Sequence, residues 1–558
     1  MPTRDAADPS ADQVPDPTAF PIAWESDRDP DLTWEWDDMH TPFPLAPLSE
    51  DYVRTLGAGL NAPYVTFGDF PQRWHCRVWN GYAYFGREPG IPPEAEPANR
   101  ERWLAVMRDR VAVTEAYWRD EVLPEITALE TEMRELPIET ASPSELVVAW
   151  ERAWAVTRRM WDLHFCIILG PYQVVEDLVD FYERHVPGRP AGESVRLTQG
   201  TPNEIVETER GMEHLAAVAS ANERLAAALV EAATGPVDGR RMLQPADLDR
   251  LPGGTELRAA LEAFLVRHGH LGMNGEDLEL VPWEEDPAAV LATLGARLAA
   301  PPEPSDARLA RLVAEAEALA AGVRARLADQ PDELAEFDRL YTFARTVGPI
   351  TETHNYWIDR MAQARLRSVA LRIADRLVAA GCFDDRTDIL YLYRTEVREL
   401  IERPADRRTV IAARRAERVR QRALTPPPIV GVLPAPSTEP DRFSGDARPS
   451  EVADLLLGTG SSAGVVRGPA RLALGPSDFG RIRSGDIIVC PASNPSWVPI
   501  FAIAAGLVTN TGGILSHAAV VAREFGLPAV TGVAGATAKI ADGRLIEIDG
   551  TKGSVRLL

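Results

Sequence analysis

The chain has 558 residues, with 59 Lys and Arg against 83 Asp and Glu, a formal charge of −24 and a pI near 4.9. That length implies several domains, and 45% hydrophobic with 25% charged residues excludes disordered, collagenous and coiled-coil classes. The acidic balance excludes a Lys/Arg face for nucleic acid and disfavours a membrane surface, while four scattered cysteines exclude a disulfide framework or zinc ribbon and fit a reducing compartment.

Residues 1–20 are polar and proline-rich and are expected to be a disordered leader. They hold no apolar h-region, and no run of eighteen apolar residues occurs, so a cytoplasmic location is expected. Residues 21–96 are aromatic-dense and proline-punctuated, an irregular layer with short strands that should face substrate. From residue 97 to 424 helical periodicity dominates, with Leu104, Met107, Val111, Thr114 and Trp118 at three- and four-residue steps. Further long helices are expected around 144–186, 203–234, 305–327 and 330–380. Residues 425–455 are rich in proline, serine and glycine, a semi-rigid linker. From residue 456 to 558 short β runs (GVVRGPARLAL, DIIVC, GLVTN, RLIEI) alternate with glycine turns, and a helix follows Ser516. This last part carries nine Arg and Lys against six Asp and Glu, a small basic domain behind a large acidic one.

The informative stretch is TNTGGILSHAAVVAREFGLPAVTGV, residues 509–533. GLVTN reads as a buried strand, Gly512 and Gly513 as a tight turn, and SHAAVVAREFG as a helix with Ser516 at its N-cap. His517 then sits in the first turn, where backbone N–H groups and the positive dipole end face an anion and the imidazole can take a phosphoryl group. Thr509 and Ser516 offer hydroxyl donors to phosphate oxygens. The bland alternative is a histidine that merely caps a helix.

Residues 456–558 closely resemble the swivelling phosphohistidine domain of the phosphoenolpyruvate synthase, pyruvate phosphate dikinase and rifampicin phosphotransferase family. The matching residues are Thr509, Gly512, Gly513, Ser516, His517, Ala518, Ala519, Ala522, Arg523, Glu524, Gly526 and Pro528, with Asp542-Gly543 and Asp549-Gly550 behind them. Leu515 stands where the dikinases carry a regulatory threonine, so that regulation is not implied. The resemblance implies that His517 takes a phosphoryl group at an ATP-grasp site and swings to deliver it elsewhere. The chain lacks a phosphate-binding glycine loop and has no lysine before Lys539. A separate ATP-grasp subunit is therefore expected to supply the phosphoryl from ATP with Mg²⁺, releasing AMP and phosphate. The body resembles, more weakly, the helical substrate-binding part of rifampicin phosphotransferase, at LTQGTPNEIVETERG, FLVRHGHLGMNGEDLELVPWEEDP and ARLRSVALRIADRLVAAGCFDDRTDILYLY.

The expected fold is thus multidomain α+β, a large, mostly α-helical substrate-binding body followed by a C-terminal swivelling β/β/α phosphohistidine domain. In the body, His268 and His270 with Glu276 could bind substrate or deprotonate a hydroxyl, or form a helix C-cap. His354 could meet Tyr356, Trp357 and Asp359, or be a satisfied half-buried histidine. His164 reads as core. HGH has no third ligand at a recognised spacing, so no metal site is expected. Arg345, Arg360 and Arg523 are the candidate cations for phosphoryl charge, Arg523 more as a residue that orients its loop. Thirteen tryptophans suit an aromatic pocket or simply a core. The leading expectation is the phosphohistidine subunit of a two-component phosphotransferase, similar in organisation to phenylphosphate synthase and cresol-phosphorylating systems, acting on a small aromatic hydroxyl substrate. The alternatives are an antibiotic hydroxyl phosphotransferase subunit and a non-catalytic phosphohistidine docking protein.

Overall fold

Two sheets flank a helical body in the computed structural model. It describes residues 20–433 and 454–558, apart from residues 69, 190–191, 235–242, 273–274, 475–477, 479–480 and 494–496. The expected leader, except Phe20, and the middle of the expected linker therefore lie outside the described residues.

The aromatic layer is an antiparallel sheet of β1 (Thr33–Trp36), β2 (Gln72–Trp79), β3 (Tyr82–Pro89) and β4 (Ile429–Gly431), in the order β2-β3-β1-β4. Asn80 and Gly81 connect β2 to β3 at φ 51° and 80°, the left-handed pair that a two-residue hairpin needs. β4 falls at the start of the stretch expected to be linker, and it pairs with β1 through Glu35 and Ile429. Trp34, Trp79, Tyr82 and Tyr84 pack on one another with Phe20, so these aromatics form the core of the layer.

The body is organised by one 43-residue helix, Pro143–His185, about 65 Å long. Ser142 and Glu145 close a capping box at its start, and it buries Trp150, Trp154 and Trp161. Around it lie Glu96–Tyr117, Pro331–Val347 and Arg360–Ala379. The stretch 330–380 is not one helix. Pro349 follows Gly348 and ends Pro331–Val347. The chain restarts as Ile350–His354, passes through a π-helical turn at Asn355–Asp359 and continues as Arg360–Ala379. The stretch 203–234 likewise divides into Glu204–Ser220 and Glu223–Thr234. No described helix is long and apolar enough to cross a membrane.

Among the described residues the C-terminal domain has eight strands: β5 (Leu455–Leu457), β6 (Thr459–Ser462), β7 (Val465–Leu472), β8 (Ile487–Cys490), β9 (Gly506–Thr509), β10 (Ala529–Thr531), β11 (Leu545–Asp549) and β12 (Ser554–Leu557). Their order is β5-β12-β11-β7-β8-β9-β10-β6. The β7 to β10 neighbours run parallel and the others antiparallel. The helix His517–Glu524 is the crossover between parallel β9 and β10, so its first residue lies at the carboxyl end of β9, where open α/β sheets bind ligands.

This domain rests on the body through its histidine loop. Leu515 belongs to the body's hydrophobic core, and Ile514 packs against the same core. In return Ile205 of the body enters the core of the C-terminal domain. The Gly200 N–H donates to Glu524 at 3.3 Å, and the Arg308 guanidinium lies 4.2 Å from the Phe525 ring centre.

Candidate functional site

The loop between β9 and the helix is held by its own backbone. Gly512 takes φ 101°, and a Cβ there would fall 2.7 Å from Ser516 Oγ. Ser516 occupies the N-cap position, but its hydroxyl donates to the Gly513 carbonyl at 2.8 Å instead of accepting from the helix. The Thr509 hydroxyl donates to the Thr511 carbonyl at 2.7 Å. Arg523, buried and thereby lowered to about 10, donates to the carbonyls of Ile514 at 2.8 Å and Ser461 at 3.1 Å. The loop is thus tied from below by a cation nearly two helix turns beyond the histidine.

His517 reaches across to the body. Its Nδ1 hydrogen-bonds Glu352 of the helix Ile350–His354, and both side chains are largely buried, at 15% and 6% exposure. Its Nε2 is buried with no hydrogen-bond partner among the described residues. With the proton fixed on Nδ1 by a carboxylate, Nε2 keeps the lone pair.

A cavity of about 60 Å³ lies at this junction, lined by His40, Glu276, Asn355 and Arg360 from the body side and by Ser493 and His517 from the C-terminal domain. Four of these residues have a buried polar atom without a partner among the described residues: Asn355 Oδ1, Arg360 Nε, Ser493 Oγ and His517 Nε2. Buried polar groups are nearly always satisfied. Four orphans around one cavity therefore mark a place built for a polar guest. The other ends of Arg360 are fixed: Nη1 donates to the Gly275 carbonyl at 2.9 Å and Gln363 at 2.8 Å, and Nη2 pairs with Glu276. Burial lowers Arg360 to about 10, so it stays charged at neutral pH. Tyr52 donates its hydroxyl to the second Glu276 oxygen at 3.0 Å.

Of the residues singled out in the sequence, Gly512, Ser516, Glu276 and Arg360 line this cavity with His517, and His354 lies on the same short helix as Glu352. Others lie elsewhere. His268 and His270 pack around Tyr356, whose hydroxyl lies 3.0 Å from His268 Nδ1 and whose carbonyl lies 3.1 Å from His270 Nε2. Arg345 donates to the carbonyls of Leu197 at 3.2 Å and Gln199 at 2.8 Å, which holds the LTQG loop. Glu352, Asn355, Ser493 and His40 had no sequence signal of their own, although Glu352 and Asn355 belong to the same ETHNYWIDR run as His354.

With this geometry in place, two family models match the chain. Residues 482–553 match the PEP-utilising enzyme mobile domain, and residues 180–352 match the rifampicin phosphotransferase fourth domain. The chain carries a PEP-utilising mobile domain. It is similar to the chondramide synthase cmdD of Chondromyces crocatus, 31% identical over 98% of this chain and 14% of that protein. It is 36% identical to a rifampicin phosphotransferase of a Streptomyces species, over 56% of this chain and 36% of that protein. It is 24% identical to the uncharacterized phosphotransferase YvkC of Bacillus subtilis, over 95% of this chain and 62% of that protein. The chain thus spans less than two thirds of each of these relatives. The second family match ends at Glu352, so the carboxylate that meets the mobile domain's histidine belongs to the matched body region.

Proposed function

We propose that this chain is the delivery half of a phosphotransferase, in which His517 Nε2 carries a phosphoryl group to a hydroxyl acceptor at the junction of mobile domain and body. The observation that carries this reading is the orphaned Nε2 in a cavity with the unpaired Arg360 Nε and Ser493 hydroxyl, its partner nitrogen held by Glu352. A phosphoryl group there would meet donors for its oxygens, and phosphoryl transfer needs positioning and charge neutralisation above all. In the transfer step the Nε2–P bond breaks and an O–P bond to the acceptor forms. The imidazole departs neutral because Nδ1 keeps its proton, and the hydroxyl proton passes to a carboxylate, for which Glu276 lines the cavity.

A separate ATP-grasp subunit, using ATP and Mg²⁺, would load the histidine: ATP and water yield AMP, phosphate and phosphohistidine. The acceptor is a small phenol or another hydroxyl compound. The match of residues 180–352 to a rifampicin phosphotransferase domain favours a second reading, a macrocyclic antibiotic hydroxyl as acceptor. Purified protein with a candidate ATP-grasp partner and ATP labelled in the β-phosphate is expected to gain acid-labile label and pass it to one member of a panel of phenols and rifamycins. His517→Ala is expected to abolish both signals. Full product formation by the alanine variant overturns the reading, and label on His517 with no acceptor turnover leaves the protein a phosphohistidine docking module.

A further inference from the structure

One polar cluster beneath the transfer cavity is not used by that chemistry. His164 from the long helix Pro143–His185 and His354 and Asp359 from either end of the π-helical turn bring one ligand-type atom each to within 4.8 Å of one another, and all three are buried. His164 Nδ1 lies 2.5 Å from one Asp359 oxygen, and His354 Nε2 lies 3.9 Å from the other. The two imidazole rings meet edge to face with centres 4.7 Å apart.

The hydrogen bonds fix which atoms are free. His354 Nδ1 lies 2.7 Å from the Ile350 carbonyl, which can only accept, so Nδ1 carries the hydrogen. With Nδ1 the donor, Nε2 is the nitrogen that can offer a lone pair. That nitrogen faces an Asp359 oxygen 3.9 Å away. A buried carboxylate, an imidazole nitrogen aimed at it and a second imidazole beside it form a cation's donor set. The backbone carbonyl behind His354 orients the ring as the outer-shell partner of a metal-bound histidine does.

We propose that His164, His354 and Asp359 form a binding site for one divalent late first-row metal ion such as Zn²⁺ or Co²⁺. Two nitrogens and one oxygen favour such ions over Mg²⁺, which prefers all-oxygen, water-rich surroundings. A tetrahedral ion with bonds of 2.0–2.1 Å sets its ligands roughly 3.4 Å apart. The observed 2.5 Å and 3.9 Å separations bracket that value and the third pair lies within 4.8 Å, so shifts on the order of an ångström close the set around an ion. The ion takes the place of the proton between His164 and Asp359, while a fourth position is left for water or a ligand. π-Helical turns recur at functional sites, and this one places Asp359 on the body next to Arg360 of the cavity.

The test needs neither ATP nor an acceptor, so its outcome is independent of the phosphoryl-transfer reading. Tag-free, chelator-treated protein is titrated with Co²⁺, followed by its visible absorption, and then with Zn²⁺ as competitor. One equivalent of Co²⁺ is expected, displaced by Zn²⁺, with a rise in Tm on saturation. His354→Gln and Asp359→Asn, both close in shape to the native residues, are expected to weaken binding at least 100-fold. His268→Gln, which changes a buried histidine elsewhere in the body, is expected to bind as the wild type does. Circular dichroism of each variant separates loss of the site from loss of the fold. Absence of a stoichiometric Co²⁺ signal in the wild type, or unchanged binding in folded His354→Gln and Asp359→Asn, overturns the proposal.

Discussion

Glu352→Gln isolates the contact between the mobile domain and the body. Glutamine keeps the length and can still accept a hydrogen bond from His517 Nδ1, but it removes the charge. A hydrogen bond to a charged partner contributes about 1.5–3 kcal/mol and a neutral one about 0.5–1.5 kcal/mol, so the substitution should cost about 1–2 kcal/mol. Both partners are largely buried, so solvent screening takes little from that figure. At about 1.36 kcal/mol per tenfold, the population with the proton on Nδ1 and the ring docked falls roughly 5- to 30-fold. Nitrogen-15 spectra of protein labelled at its nine histidines read this directly, with His517 assigned by its loss in His517→Ala. The wild type should show a protonated Nδ1, and Glu352→Gln a shift toward protonated Nε2. Phosphoryl delivery should slow by the same factor while loading is unchanged, because Glu352 belongs to the body. A bare Nδ1 in the wild type, or spectra that the substitution leaves unaltered, would refute the geometry.

Arg360→Met leaves Glu276 buried without its cation, and should destabilise the body by about 3–5 kcal/mol in calorimetry, since a broken buried ion pair strands a charge. Glu524, which faces Arg523, Arg308, Glu352 and the Gly200 N–H, is raised by burial to about 7. Its folded pKa lies above the unfolded value, so its contribution is complete below about pH 4.5 and is lost as pH rises through about 7. Tm should therefore decline over that window by the equivalent of at most about 3 kcal/mol, and Glu524→Gln should flatten the decline. His354 and His268 are both lowered to about 4 by burial. The stability they contribute above pH 6.5 should be lost as pH falls from 6.5 to 4, with His268→Gln removing part of the slope in urea midpoints. Gly512→Ala forces a side chain into φ 101° against Ser516 and should cost about 1–2 kcal/mol, read as reduced phosphorylation of His517 in a protein that still folds.

The regular parts of the C-terminal domain were legible because their signals are local. β7, β8, β9 and β11 fall on the four β runs expected, and the helix begins at His517 as the turn glycines and Ser516 imply. The long helix Pro143–His185 follows its hydrophobic stripe within a residue or so. The breaks were harder to see. Pro349 interrupts a stretch whose periodicity resumes in phase on either side, and the π turn at Asn355–Asp359 leaves no compositional mark. The site itself was legible only on one side. His517 stands out by its motif, but its partner Glu352 lies 165 residues away and is one of 83 acidic residues. His164 sits among apolar neighbours, as its local sequence implies, and yet its ring faces Asp359. Spacing rules for metal ligands read neighbours along the chain, whereas these three are joined only by the packing of two helices.

Leu515 gives the histidine loop a property that no hydrogen bond supplies. On the proposed reading the loop leaves and returns, and two residues ahead of its histidine it carries a leucine seated in the interior of the other part of the molecule. Withdrawing it exposes a side chain whose burial contributes about 1.5–3 kcal/mol, enough to lengthen each visit roughly 10- to 150-fold. On the proposed reading, the dwell time at the acceptor is in this way set by oil as well as by charge, and the oil's share should be nearly indifferent to ionic strength.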